Sequence, residues 1–299
     1  MNIEPFVNAP ETHRLEGVVV YQKGRGTAAH RCVAEQRVNI RSVSKSFASV
    51  AIGMAVDEGK LSLSDRVSRA FDMKSPDARW SALTIEHLLT MTMGHTSLSR
   101  PKSVEEALAL ELSRDPGTVF VYDNACTFLA SAMLTRATGL TLRDYLLDRL
   151  FRPLGISGPE WMESDDGYTI GATGLFLTTS EMALFGRFLL QRGEWEGRQL
   201  VTAAWIDRAT RAHVATRGDK DSSDYSLGYG YHFWICPHGA YRAEGKDGQF
   251  IIVFPGLDAV VAINAAGEDT TPILRAVWEH ILPEMNISAT IAQGIFDDH

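Results

Sequence analysis

The most informative segment of the chain is Arg41-Ser-Val-Ser-Lys-Ser-Phe-Ala-Ser-Val-Ala-Ile-Gly-Met-Ala-Val-Asp-Glu-Gly59. Apolar residues follow one another from Phe47 to Val56 and leave no polar face, which predicts a helix buried all round. Gly59 is a typical residue for the C-terminal cap of such a helix. The first turn of this buried helix carries a serine hydroxyl and a lysine amine, and a buried amine needs a chemical reason.

Ser42 and Lys45 lie three positions apart, so on a helix their Cβ atoms are about 5–6 Å apart on one face. Burial and the positive helix N-terminus both disfavour a protonated amine, which makes Lys45 a candidate base toward the Ser42 hydroxyl. The pattern Ser-x-x-Lys is short, and about one chance copy is expected in a chain of this size. A second copy, Ser99 to Lys102, lies in a polar stretch broken by proline with no buried helix behind it, so we set it aside.

The composition of the chain restricts the classes of protein to which it can belong. The chain has 299 residues, of which 45% are hydrophobic and 22% charged, as expected of a globular protein with a large core. Its net charge of −8 argues against nucleic acid or an anionic membrane as the main partner. Cys32, Cys126 and Cys236 are too few and too widely spaced for a disulfide framework or a zinc site. The first residues show no secretory signal and no apolar run reaches membrane-spanning length, so we expect a cytoplasmic location.

The order of the predicted elements places strands at both ends of the chain and helices between them. The strand patterns cover 15–21, 31–40, 229–235, 240–245, 249–254 and 259–264. Helical patterns dominate 61–191 and return at 202–210 and 271–282. We therefore predict an α+β fold, in which an antiparallel sheet is flanked by terminal helices and receives an inserted all-helical lobe. The sheet domain would comprise 1–60 and 200–299, the helical domain 61–199, and the active site would lie between them.

Two further stretches carry reactive side chains at the ends of predicted elements. Tyr122-Asp-Asn124 follows Pro116-Gly117 and opens a helix, so its structural interpretation is a core tyrosine followed by an N-cap. Lys246-Asp-Gly248 joins two strands, and its structural interpretation is a hairpin turn with a solvated lysine. Each motif by itself favours the structural interpretation.

Together and in this order, the three motifs resemble the signature of the serine β-lactamase and penicillin-binding protein superfamily. Ser42-Val-Ser-Lys45 matches its Ser-x-x-Lys motif, and Tyr122-Asp-Asn124 matches the Tyr-x-Asn motif of the class C β-lactamase branch. Lys246-Asp-Gly248 stands where Lys-Thr-Gly or a related triplet occurs. That branch also holds esterases, D-amino-acid peptidases and amide hydrolases. The resemblance implies the β-lactamase/transpeptidase-like fold over about 15–282.

The resemblance also implies the role of each site residue. Ser42 would attack an acyl carbon while Lys45 and Tyr122 move its proton, and which of these two is the base is left open. The oxyanion would be bound by the backbone N–H groups of Ser42 and Gln249. Lys45 and a second cation, Lys246, would favour a tyrosinate. The substrate-binding residues would be Asn124, Lys246, Asp247 and Gly248. No metal or cofactor is implied.

The implied activity is that of a serine hydrolase which cleaves a small-molecule ester, amide or peptide. Asp247 stands where the family's β-lactamases carry a hydroxyl residue, and its charge would oppose a substrate carboxylate unless an arginine or Lys246 neutralises it. We therefore expect an esterase or amidase for a neutral or amine-bearing substrate. The alternatives are a true β-lactamase or D-Ala-D-Ala carboxypeptidase, and a catalytically silent binding protein on the same fold. The sequence contains no Gly-x-Ser-x-Gly elbow, which argues against a Ser-His-Asp hydrolase. The oligomeric state is left open.

Overall fold

The computed structural model describes residues 1–74, 77–216, 223–267 and 269–286. The strands in these ranges are β1 (Leu15–Gln22), β2 (Gly26–Arg31), β3 (Val38–Asn39), β4 (Phe176–Leu177), β5 (Glu194–Trp195), β6 (Arg198–Gln199), β7 (Trp234–Ile235), β8 (Tyr241–Gly245), β9 (Gln249–Phe254) and β10 (Ala259–Ala265). The α-helices there are α1 (Glu4–Val7), α2 (Ser44–Asp57), α3 (Val67–Ala70), α4 (Ala78–Ala82), α5 (Ile85–Leu89), α6 (Val104–Leu108), α7 (Asn124–Thr138), α8 (Leu142–Leu146), α9 (Thr179–Leu190), α10 (Ala203–Ala209) and α11 (Thr271–Ala276). None of the helices in these ranges has the length and apolar character that a membrane span requires.

Six strands form one antiparallel sheet in the order β2-β1-β10-β9-β8-β7. Successive side chains of a strand point to opposite faces, and both faces of this sheet are buried. Val18 and Val20 of β1 pack in one core with Phe6 of α1 and Ile273 of α11. Val19 lies on the opposite face, in the larger core that contains α2, α7 and α9. The prediction of an α+β fold with terminal helices against an antiparallel sheet is confirmed.

Helix α2 runs through the larger core, as its apolar sequence predicts. Every residue from Ser44 to Ala55 is buried. The ring of Phe47 stacks on that of Phe185 in α9, with 3.7 Å between their centroids. Ser42 precedes α2, in a short 3-10 turn over Arg41–Val43. The candidate nucleophile therefore lies just before the N-terminus of a buried helix, at the edge of the core.

Two predicted strands differ from the observed ones. The hairpin neighbour of β1, on the side away from β10, is Gly26–Arg31 and not 31–40, because Gly24 and Gly26 adopt positive φ and reverse the chain before residue 31. Only Val38–Asn39 of the predicted range is a strand, and it pairs with β4. In the range 229–235 only β7 is a strand, because His232 has a φ of 63° and interrupts the extended backbone.

The predicted division into domains stays a prediction. Helix α9 lies inside the range 61–199 that the sequence assigns to the helical lobe, but it packs against β1, β9 and β10. The part of the predicted sheet domain over 287–299 lies outside the described residues.

Candidate active site

Ser42 and Lys45 lie in contact, as their spacing predicts. The Lys45 Nζ is 3.1 Å from the Ser42 Oγ. It is also 2.7 Å from the Asn124 Oδ1 at the start of α7 and 2.8 Å from the backbone oxygen of Ala172. Ser42 is partly exposed to a cavity, whereas the Lys45 side chain lies behind it and is 1% exposed. The amine thus reaches the hydroxyl from the protein interior.

Burial changes the protonation of this amine. Removal of the Lys45 ammonium from water lowers its pKa to about 7, against a weaker opposite effect from Cys126 and Asp123. A lysine with such a pKa is neutral in about half of the molecules at neutral pH. Neutral lysine is a base, so the structure gives the serine a base within contact distance.

The motif Tyr122-Asp-Asn124 brings its side chains to the same place. Tyr122 lines the cavity, and its ring lies 4.9 Å from the Lys45 Nζ. It stacks on Trp234, with 5.8 Å between the ring centroids. Burial raises the pKa of Tyr122 above its ordinary value, which an interaction with the Ser42 hydroxyl only partly offsets. The raised pKa runs against the expectation that neighbouring cations favour a tyrosinate, because burial removes the hydration of the anion.

Asp123, between the two matched residues of this motif, holds the local backbone. Its buried carboxylate accepts hydrogen bonds from the backbone N–H and hydroxyl of Ser99, from the backbone N–H of Ala125 and from His95 Nδ1. It thereby caps α7 and ties this helix to the loop that follows α5. The sequence predicts Asn124 as the cap, whereas Asn124 is the first residue of the helix and its side chain is free to contact Lys45.

The hairpin between β8 and β9 supplies the third motif. Lys246 and Asp247 line the cavity together with Gly245. Gly248 and Gln249 follow behind this tip and are buried, outside the cavity wall. The carboxylate of Asp247 accepts a hydrogen bond from Arg41 Nε at 2.8 Å. An arginine therefore neutralises Asp247, which is one of the two outcomes that the sequence leaves open.

The cavity in front of Ser42 has a volume of about 840 Å³. Two loops that carry no motif complete its wall. One contributes Leu98, Arg100, Pro101 and Lys102, and the other contributes Met162, Glu163, Ser164 and Asp165. A backbone hydrogen bond from Asp165 to Lys102 joins the two loops over 2.9 Å.

Several residues of the cavity wall are not predicted from the sequence. The stretch Ser99 to Lys102 is set aside as a chance match to Ser-x-x-Lys, and in the structure it forms part of the cavity wall. Trp234 also lines the cavity, whereas Tyr229 and Tyr231, which belong to the same aromatic run of sequence, are buried away from it. The aromatic run alone does not show which ring faces the cavity, because His232 breaks the strand alternation.

His87 and His95 have structural roles near the site. The Nδ1 atom of His87 completes a capping box with Thr84 at the start of α5. His95 Nδ1 contacts the Asp123 carboxylate at 3.0 Å. Among the described ranges, no group of three or more His, Cys, Asp or Glu side chains is arranged to hold a metal ion.

Comparison with known proteins identifies the family. The family model described as Beta-lactamase matches residues 8–283. A curated beta-lactamase from Yersinia enterocolitica is 26% identical over 282 residues, which cover 84% of this chain and 69% of that protein.

Solved structures show the same fold at low sequence identity. The octameric penicillin-binding protein homologue from Pyrococcus abyssi superposes with a TM-score of 0.74 over 92% of this chain and 75% of that one, at 20% identity. A simvastatin synthase variant from Aspergillus terreus superposes with a TM-score of 0.71 over 94% of both chains, at 16% identity. The resemblance that the three motifs indicate is thus confirmed, and the chain belongs to the Beta-lactamase family of serine hydrolases, which act on small molecules.

Proposed function

We propose that this protein hydrolyses a small-molecule ester or amide through an acyl-enzyme on Ser42, in the manner of the class C β-lactamase-like branch. The observation that carries the proposal is the contact of 3.1 Å between the Ser42 hydroxyl and a buried lysine whose pKa is about 7. Serine is a weak nucleophile until an adjacent base removes its proton, and this lysine meets that requirement.

Lys45 is the base in this mechanism. A neutral amine has two N–H donors and one lone pair, and Lys45 Nζ has three neighbours. Two of them, Asn124 Oδ1 and the Ala172 carbonyl, accept hydrogen bonds and so take the two donors. The lone pair then faces the Ser42 hydroxyl, from which it takes the proton as Oγ bonds to the acyl carbon. Tyr122 keeps its own proton, because burial raises its pKa.

Tyr122 completes the proton path. Its neutral hydroxyl gives a proton to the leaving group as the acyl bond breaks, and the Lys45 ammonium replaces that proton. We assign the stabilisation of the tetrahedral oxyanion to the backbone N–H groups of Ser42, which lines the cavity, and of Gln249, which is buried directly behind the hairpin tip that lines it. A water molecule then attacks the acyl-enzyme, and the same groups move the protons in the reverse direction.

We propose a substrate with an apolar acyl or leaving group. Leu98 and Met162, which are 50% and 47% exposed, both face the cavity, where Phe128 and Ile170 extend the apolar surface. Exposed apolar side chains that converge on one cavity indicate a hydrophobic ligand. The sequence predicts neutral or amine-bearing substrates because the charge of Asp247 would repel a carboxylate. Its pairing with Arg41 removes that repulsion. The proposal of an apolar substrate group is therefore based on the apolar wall alone.

One observation favours a second candidate, a β-lactamase or D-Ala-D-Ala carboxypeptidase. Lys246 is exposed in the cavity wall and has no ion pair among the residues that the structure describes. A free ammonium in this place is able to bind a substrate carboxylate.

A fluorophosphonate probe tests the nucleophile. We expect one covalent adduct on the peptide that contains Ser42, its loss in Ser42→Ala and its retention in Ser64→Ala, a surface serine outside the cavity. The absence of an adduct on the wild-type protein would favour a silent binding protein. A panel of p-nitrophenyl esters, D-aminoacyl amides and nitrocefin then separates the two enzymatic candidates. Nitrocefin turnover above that of every ester and amide would select the second one.

A further inference from the structure

Arg41 and Asp247 form an ion pair between the two segments nearest to Ser42. Arg41 directly precedes Ser42 in the turn before α2, and Asp247 lies at the tip of the β8–β9 hairpin. Arg41 Nε donates to Asp247 Oδ2 over 2.8 Å, and both residues line the cavity. The pair joins positions that are 206 residues apart in the chain. Across the described residues, it is the one ion pair that connects this turn with this hairpin.

Both partners have a left-handed backbone conformation. The φ angle is 53° at Arg41 and 71° at Asp247. Aspartate tolerates this region through local hydrogen bonds, but arginine rarely adopts it. Such conformations persist where the surrounding structure holds them, and they concentrate at functional sites. The strain therefore lies directly beside the candidate nucleophile and at the hairpin tip that faces it.

The stem and the tip of the hairpin are held in different ways. At the stem, a Cβ on Gly245 would lie 2.5 Å from the Ile40 carbonyl oxygen and 2.9 Å from the Arg41 Cβ, so backbone packs directly on backbone. At the tip, the Asp247 carbonyl accepts a hydrogen bond from the Gly267 N–H at 3.0 Å. The ion pair therefore holds the tip on the side that faces the turn of Ser42.

The pair also balances charge in the cavity wall. The two side chains are 46% and 23% exposed, and ion pairs in contact with water add little to folding stability. Without Arg41, however, Asp247 would place an unneutralised carboxylate in the wall where the oxyanion develops. Like charges at short range disfavour each other, so this carboxylate would oppose the transition state.

We propose that the Arg41–Asp247 pair is a positioning clamp for the oxyanion-binding backbone. It holds the hairpin tip against the turn of Ser42, so that the N–H groups of Ser42 and Gln249 face one oxyanion, and it cancels the charge of Asp247. Neither side chain touches the reacting atoms. The inference rests on the proposed function, because it assigns these two N–H groups to the oxyanion.

A double-mutant cycle tests the clamp. Arg41→Gln, Asp247→Asn and the double variant remove the charges while they preserve side-chain length or shape. We expect each single variant to lower kcat for a p-nitrophenyl ester about tenfold with KM within about twofold, because oxyanion binding operates only in the transition state. The double variant should lose no more than the more affected single variant, because the two residues act as one unit.

The chain offers a matched control in Arg192, which also has a left-handed φ of 54° and an exposed ion pair with Asp207, outside the cavity. Arg192→Gln should keep the kcat of the wild type. Losses that multiply in the double variant, a change confined to KM, or an equal loss in Arg192→Gln would overturn the clamp.

If a variant has a lowered unfolding temperature, Arg41→Lys distinguishes a loss of the clamp from a loss of folding. This variant keeps the charge and should retain more kcat than Arg41→Gln. An equal loss in both variants also overturns the clamp. Wild-type protein that takes no label at Ser42 refutes the proposed function itself, whereas a labelled wild type with independent effects in the cycle refutes only the clamp.

Discussion

At the scale of the residue, Lys45 shows how burial creates reactivity. An exposed lysine is protonated at neutral pH and cannot remove a proton from serine. The interior position behind Ser42 lowers the lysine pKa to about 7, and two carbonyl oxygens direct its remaining donors away from the nucleophile. The same short pattern at Ser99 to Lys102 lies on a loop, where Ser99 instead binds Asp123.

From the lowered pKa of Lys45 we predict the acidic limb of the pH profile of kcat/KM. Lysine acts as a base only when it is neutral, so kcat/KM should rise with pH through about 7 and then level off. The Asp123 carboxylate raises the pKa of Lys45, so Asp123→Asn should move this limb to lower pH. Rates of p-nitrophenyl ester hydrolysis from roughly pH 5 to pH 9, on both sides of the lysine pKa, measure the limb.

A surface carboxylate provides the comparison for this experiment. Asp148 pairs with Arg152 on the protein surface, outside the cavity. Asp148→Asn should leave the limb in place. A limb that stays unchanged in Asp123→Asn, or moves to higher pH, would contradict the electrostatic role that we assign to Asp123.

At the scale of the element, the close packing of α2 explains a glycine in the middle of a helix. Glycine in a helix interior ordinarily destabilises it by about 1 kcal/mol relative to alanine. At Gly53, however, an added Cβ would lie 2.4 Å from ring atoms of Trp205 in α10. The indole therefore packs directly on the backbone of α2, and the missing side chain makes room for it.

Gly53→Ala should therefore destabilise the protein, although the same change stabilises most helices. Overpacking in a filled core costs about 1–3 kcal/mol, which exceeds the gain in helix propensity. Chemical denaturation followed by fluorescence measures the free energy of unfolding. Gly256→Ala is the control, because a Cβ there meets no atom within 4 Å. Equal or greater stability of Gly53→Ala would show that Trp205 shifts without penalty.

Helix α2 is regular and buried, whereas the hairpin between β8 and β9 carries an irregular turn to the cavity. Its strands pair in regular register from Tyr241 with Val253 to Gly245 with Gln249, which fixes the position of its tip. The tip itself departs from regular backbone, with positive φ at Asp247 and Gly248. Regular pairing thus carries an irregular turn to the cavity, where Lys246 and Asp247 become part of its wall.

At the scale of the whole molecule, the cavity is a product of segments that are distant in sequence. The turn of Ser42, the start of α7, the β8–β9 hairpin and two loops contribute to one wall. Leu98 and Met162 belong to the two loops, which the backbone hydrogen bond from Asp165 to Lys102 joins. The apolar part of the wall therefore depends on how the loops meet, and no single element contains it.

This wall predicts a preference for long acyl chains. Leu98→Ser and Met162→Ser should lower kcat/KM for an octanoyl ester about five- to tenfold and change that for an acetyl ester less than about twofold, because only the longer chain buries itself against these side chains. A chain-length series of p-nitrophenyl esters measures this. Leu227→Ser, at an exposed leucine outside the cavity, is the control. Equal losses on both esters would assign the apolar wall to a structural role.

Much of the fold was open to prediction because its signals are local. A run rich in β-branched residues identifies β1, the change to strand periodicity identifies β8, β9 and β10, and the unbroken apolar run identifies α2, since these signals depend on neighbouring positions alone. The predicted strand 31–40 was placed too late, because β2 begins directly at the turn formed by Gly24 and Gly26, and the predicted strand 229–235 is interrupted by the positive φ of His232.

Local sequence patterns were enough to identify the reactive groups of this protein: the Ser42–Lys45 pair lies within one turn, and the motifs at Tyr122 and Lys246 mark two further reactive segments. How these groups meet depends on the packing of distant segments. This packing brought Lys45 to Asn124 and Ala172, 79 and 127 positions away, and Arg41 to Asp247, 206 positions away. The physical reason is that a local pattern records which side chains share a face, whereas pKa, charge pairing and cavity shape depend on which segments the core packs together.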